Sequence, residues 1–153
     1  MHRSTRRSAL VLVVAAVLPG CELIPGELYL GTPIAYRSVT IVSGERGALH
    51  RHAGLYYALE NVSVRRISSL EIEFALYDGE GRALPRPGAN VFRVALDTSI
   101  DPGAVASFCT SLDEVGADHA DALVVARFRV RTVWFDDGSR WRNPGGHVYL
   151  EER

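Results

Sequence analysis

The sequence predicts an all-β fold, an antiparallel sandwich of about seven or eight strands. Three observations point to it. Short β-branched and aromatic runs recur from residue 36 onward, with turn signals at roughly ten-residue spacing. Glycine, proline, asparagine and aspartate gather between the runs, where the chain must reverse. No stretch sustains the helical apolar period, and no internal repeat is present. A chain of 153 residues with 47% apolar content is long enough for one domain with a real core, which argues against wholesale disorder.

The elements follow in order. Residues 38–42 are β-branched, and residues 55–61 (LYYALEN) are aromatic and apolar. Residues 70–77 alternate, with Leu70, Ile72, Phe74 and Leu76 on one face and Glu71, Glu73, Ala75 and Tyr77 on the other. Period two marks a half-buried strand. Asp78-Gly79-Glu80-Gly81 is a turn, and Arg86-Pro87-Gly88 breaks the chain again. Residues 91–96 read as a strand, Asp101-Pro102-Gly103 as a turn, and residues 104–112 as the next strand. Residues 113–121 (DEVGADHAD) form an acidic loop with room for one helical turn. Residues 123–135 are a long apolar and β-branched run. Asp136-Asp137-Gly138-Ser139 turns it into residues 140–142, and Asn143-Pro144-Gly145-Gly146 leads to a last strand at 148–151.

The N-terminus speaks of location. Arg3, Arg6 and Arg7 precede the uncharged run ALVLVVAAVL at residues 9–18. A spanning helix needs about 20 apolar residues, so this shorter run reads as a secretory signal. Leu18-Pro19-Gly20-Cys21 follows and resembles the lipobox of bacterial lipoproteins: aliphatic at Leu18, small at Gly20, cysteine at Cys21. Pro19 departs from the usual residue at its position. The resemblance implies cleavage before Cys21 and lipidation on its sulfur. Each buried acyl methylene adds about 0.8 kcal/mol to membrane attachment. The expected organisation is a signal peptide at 1–20, a lipidated N-terminus and tether at 21–35, and a sandwich domain at 36–153. The expected location is the bacterial cell envelope, with Cys21 anchored in an inner or outer membrane. Residues 22–33 (ELIPGELYLGTP) are rich in Pro and Gly, as a tether should be.

Charge excludes one function class. The chain carries 17 basic and 18 acidic residues, and every basic residue is an arginine. Removal of residues 1–20 leaves 14 basic against 18 acidic. An overall basic nucleic-acid binder is disfavoured, so no nucleic acid is expected as a partner. A lipidated Cys21 cannot pair with Cys109, which would then be a lone thiol.

Phe74-Ala75-Leu76-Tyr77-Asp78, with Gly81 after it and Asn61-Val62-Ser63 before it, resembles the FxLYD type of bacterial immunoglobulin-like domain. Pro102-Gly103 stands where the family often turns before a later strand. The resemblance covers about half of the chain after Cys21 and weakens after residue 85, where the insert 85–89, the acidic loop and the Trp134/Trp141 hairpin depart from it. It implies an immunoglobulin-like β-sandwich on an exported or lipid-anchored protein, with no catalytic role for the motif. In physical terms, Phe74 and Leu76 face the core while Asp78 caps the turn through backbone N–H groups.

Candidate chemistry is sparse. His50 and His52 share a face if extended, but without a nearby thiolate or carboxylate they read as a solvated pair. Asp118, His119 and Asp121 sit together in the acidic loop, without the spacing of a calcium loop. Asp136 and Asp137 are explained by their turn. Cys109 has no histidine at a spacing that suggests a nucleophile pair. No G-x-S-x-G, phosphate-loop or dinucleotide glycine pattern is present. Arg127, Arg129 and Arg131 alternate with Phe128, Val130 and Thr132 and so share a face. Cross-strand pairing with Glu71 and Glu73 is their expected role, with recognition of an anionic partner as the alternative. Trp134 and Trp141 flank a turn and are expected to face each other across it as core material; exposed, they would mark a binding surface.

Two functions fit. The first is a non-catalytic, lipid-anchored envelope protein presenting an interaction domain, whose partner is another envelope protein. The second is an exported receptor binding a solute or ion near His50, His52, Asp118 and His119. No enzymatic activity, cofactor or metal is expected. The sequence leaves the choice between the first two open.

Overall fold

The computed structural model describes residues 31–84, 90–116 and 123–145. Cys21 and its lipobox, the insert 85–89, Asp118, His119 and Asp121, and the strand expected at 148–151 all lie outside these residues. The described residues hold β1 (Ile34–Ser43), β2 (Ala53–Asn61), β3 (Ile67–Tyr77), β4 (Ala83–Leu84), β5 (Val91–Ile100), β6 (Val105–Ser111), α1 (Asp113–Gly116), β7 (Val124–Phe135) and β8 (Arg140–Arg142).

Every pairing is antiparallel, and the fold is the all-β sandwich that the turn spacing predicts. One sheet runs β1-β2-β6. In the other, β7 lies along one edge of β3 and β8 lies outside β7; β4 and β5 share the opposite edge of β3. β4 and β5 thus complete a five-stranded sheet that packs on the three-stranded one. The chain starts its sandwich earlier than residue 36: Ile34 is already paired and buried. β5 also outruns the apolar stretch at 91–96, because Thr98 and Ile100 continue its inward alternation.

Burial follows the period-two pattern. Leu70, Ile72, Phe74 and Leu76 are fully buried. They meet Leu55, Tyr57 and Leu59 of β2 in one core. Phe128 sits at its centre, 5.0 Å from the Tyr57 ring, 6.4 Å from Phe74 and 6.0 Å from Tyr36. The Tyr36 hydroxyl accepts a hydrogen bond of 2.9 Å from the Val130 N–H and so ties β1 to the opposite sheet.

The turns are built as their residues predict. The Asp78 carboxylate accepts from the N–H groups of Glu80 (2.9 Å) and Arg82 (2.8 Å). Gly138 takes φ 80° in the β7–β8 turn, a conformation that suits a residue without Cβ. The tryptophan expectation needs correction. Val133, not Trp134, pairs with Trp141. Trp141 therefore points into the core, while Trp134 lies on the outer face of the sheet.

Asp113 opens α1 and closes the β1–β2 loop. Its carboxylate accepts from the N–H groups of His52 (2.8 Å) and Arg51 (2.9 Å). These bonds, His52 first and then Arg51, lower its pKa from 3.8 to about 2. A carboxyl whose pKa is lower in the folded than in the unfolded chain adds stability above the unfolded value and loses it as pH falls through the folded one. The melting midpoint is expected to drop between about pH 4 and pH 2. Asp113→Asn should lower the midpoint at pH 7 and make the acid decline shallower. An unchanged pH profile would contradict the cap.

Candidate binding face

The outer face of the five-stranded sheet gathers charge. β3 turns Glu71 and Glu73 outward, β5 turns Arg93 and Asp97 outward, and β7 sets Arg129 and Arg131 beside them. Glu73 stands opposite Arg129 on one neighbouring strand and Arg93 on the other. Arg93 Nε and Arg129 Nε each donate to its carboxylate at 3.0 Å, and Arg131 Nη1 lies 3.3 Å away. Arg131 also lies 3.9 Å from Glu71, which accepts from the Thr132 hydroxyl at 3.1 Å. The expected pairing of these two strands, charged faces together, is the pairing observed.

Glu73 is only 8% exposed because the arginines cover it. Burial pushes its carboxyl up, but the hydrogen bonds of Arg93 and Arg129 and the charges of Arg129 and Arg131 outweigh that. Its pKa lies below the ordinary glutamate range. Around this neutralised centre the face remains basic. Arg127 lies beyond Arg129, and Arg140 and Arg142 share one side of β8.

Strict alternation does not account for the arginines. Glu73 pairs with Arg129 but Ala75 with Ala126, and Glu71 pairs with Thr132 but Ile72 with Val130. β7 therefore carries an extra residue at each of two bulges. Arg127 sits in the first with φ 55°, the one non-glycine residue with positive φ among those described. That conformation costs about 1–2 kcal/mol and re-aims the side chain. Arg127 makes no ion pair or hydrogen bond among the described residues.

Two concavities open on this face. One of about 400 Å³ is lined by Glu73, Phe74, Ala75, Val91, Arg127 and Arg129. The other, about 320 Å³, is lined by Glu71, Arg131, Thr132, Trp134, Arg142 and Asn143. The first joins apolar surface to guanidinium groups. The second joins an indole to donors and acceptors.

The histidine pair is not a solvated pair. His50 is 2% exposed, its Nε2 lies 3.0 Å from the Tyr56 hydroxyl, and its Nδ1 has no partner among the described residues. Its ring covers Gly54, where a Cβ would stand 2.4 Å from His50 Cδ2 and 3.1 Å from Cys109 Sγ. Tyr56 and Cys109 are cross-strand partners under the same ring. Loss of solvent, then the neighbouring thiol, raises the Tyr56 pKa. His52 is exposed and does not join this cluster. Only the glycine at 54 allows the contact, a signal the spacing of histidines alone does not carry. Among the described residues, no three or more His, Cys, Asp or Glu side chains stand together to hold a metal ion.

Asn61 is fully buried. Its amide donates to the carbonyls of Arg65 (2.7 Å) and Ile100 (2.9 Å), and its Oδ1 accepts from the Ser63 N–H at 3.0 Å. Asn61-Val62-Ser63 is thus a structural corner.

No family model matches the chain, and no curated protein matches it. Among solved structures, a hypothetical protein from Peptoclostridium difficile 630 is similar, with a TM-score of 0.52 and 14% identity. The match covers 74% of this chain and 88% of that one. At that identity the likeness bears on the fold alone, and it agrees with the sandwich described above.

Proposed function

We propose that the chain is a non-catalytic, lipid-anchored protein of the bacterial envelope whose sandwich presents an anion-binding face. The observation that carries the binding role is the convergence of Arg93, Arg129 and Arg131 on Glu73, with Arg127 set beside them by a bulge. Arg93, Arg129 and Arg131 balance Glu71, Glu73 and Asp97 on this face, and Arg127 adds a positive charge without a counter-charge among the described residues. Leu18, Gly20 and Cys21 support the anchor. The Phe74–Asp78 motif supports membership of the FxLYD type, whose members stand on exported and lipid-anchored proteins.

Both halves have a direct test. The precursor and its Cys21→Ser variant, expressed in a bacterial host, are labelled with a fatty acid and partitioned into detergent. Label and detergent-phase recovery are expected only with Cys21; a cleaved, unlabelled, soluble product from both would overturn the anchor. The purified full chain in detergent is then titrated with polyglutamate, polyphosphate and polygalacturonate. Binding of at least one polyanion is expected, weakening as salt rises and in the Arg93→Gln/Arg127→Gln double variant. Failure to bind any of the three would remove the anionic partner.

A further inference from the structure

We infer that the ligand of this face is an acidic polysaccharide, lying across the strands with a sugar ring on Trp134 and its carboxylates on the arginine row. This rests on the anion-binding reading above and names the class of partner. Its first support is shape. Neighbouring strands are about 4.8 Å apart, so the row from Arg93 on β5 to Arg142 on β8 extends about 15 Å. That is the reach of several linked sugars rather than of one small anion. The two concavities are offset diagonally on the sheet: both draw walls from β3 and β7, the first reaching Val91 of β5 and the second Arg142 of β8 at a register further along the strands.

The second support is chemistry. Guanidinium forks match carboxylates in plane and charge. The second concavity sets Trp134 beside Arg131 and Arg142. A flat indole suits the C–H face of a sugar ring. Glu71, which accepts from the Thr132 hydroxyl, keeps its other carboxylate oxygen on this concavity as an acceptor for a ring hydroxyl. Glu71 suits a glycan, whose rings carry several hydroxyl donors around each carboxylate, where an acidic peptide offers one backbone N–H per residue. The first concavity sets the exposed apolar side chain of Val91 beside Arg127 and Arg129. Arg127 keeps a left-handed backbone with no hydrogen bond or ion pair among the described residues, and strain held at such a position is commonly tied to a ligand.

The test uses the full chain in detergent and native electrophoresis through gels containing polygalacturonate, dextran, polyglutamate or oligodeoxythymidine. Retardation by polygalacturonate is expected to exceed that by the other three. Arg127→Gln should weaken it about tenfold. Trp134→Ala should weaken it to a similar extent, with unchanged circular dichroism. Because the chain has two tryptophans and Trp141 is buried, emission gives a second reading that tolerates a fold-sensitive variant. Polygalacturonate should shift the emission of the native chain and not that of Trp134→Phe. Equal retardation by polyglutamate or the oligonucleotide, or binding with no response from Trp134, would overturn the polysaccharide and leave the anionic face standing. No retardation by any polyanion would overturn both.

Discussion

Asn61→Ala is expected to destabilise the domain by about 2–4 kcal/mol, the range for breaking a buried hydrogen-bond network. Asn61 ends β2, where the chain leaves the three-stranded sheet for β3. Its side-chain amide holds the Arg65 carbonyl of that crossing and the Ile100 carbonyl at the end of β5, where the chain crosses back. Its backbone completes the corner: the Gly103 N–H donates to its carbonyl at 2.7 Å, and its N–H donates to Ala104 at 3.0 Å. Alanine keeps the backbone bonds but leaves the buried Ile100 carbonyl and the Ser63 N–H without their side-chain partner, and the Arg65 carbonyl with the Ser63 hydroxyl alone. Asn61→Asp should be no milder, because a carboxylate offers no donors and brings charge into the core. Urea unfolding measures the effect. A loss below about 1 kcal/mol would mean that water replaces the amide at this corner.

That corner also shows what a sequence can carry. Asn61-Val62-Ser63 is legible as a motif, and alternation at 70–77 assigns the faces of β3 correctly, because both depend on residues close in the chain. The charges of Glu73 and Arg129 suggest their pairing because complementary charges reward adjacency. What escapes is register and distance. An inserted residue in β7 changes no composition, so Arg127 reads as one more alternating arginine while the backbone turns left-handed there. The tryptophans look symmetric about Asp136-Asp137-Gly138, but pairing Val133 with Trp141 sends them to opposite faces. Asp113 caps a loop 61 and 62 residues earlier, and His50 is buried by a glycine and a thiol from two strands. None of these contacts leaves a local trace.

Glu73→Gln is expected to weaken folding while tightening the hold on polyanions. The stability loss should be about 1–3 kcal/mol, the scale of hydrogen bonds to charged groups within a nearly buried network. Glutamine retains one oxygen for Arg129 but turns an NH₂ group toward other guanidinium donors, and Arg93, Arg129 and Arg131 lose their common counter-charge. Those side chains are partly exposed and can turn to solvent, which keeps the loss below that of an isolated buried ion pair. The native carboxylate has a lowered pKa, so its contribution is present above the ordinary glutamate range and fades as pH falls through the folded value. At neutral pH the variant should therefore melt lower than the native chain, and the gap should narrow in acid. Binding should move the other way, since removing one negative charge from the centre of the row leaves more guanidinium groups for a ligand. A purely structural cluster would give the stability loss with no gain in affinity. A binding face held in check by its own glutamate gives both, and titration of polygalacturonate against the two proteins at low salt separates these outcomes.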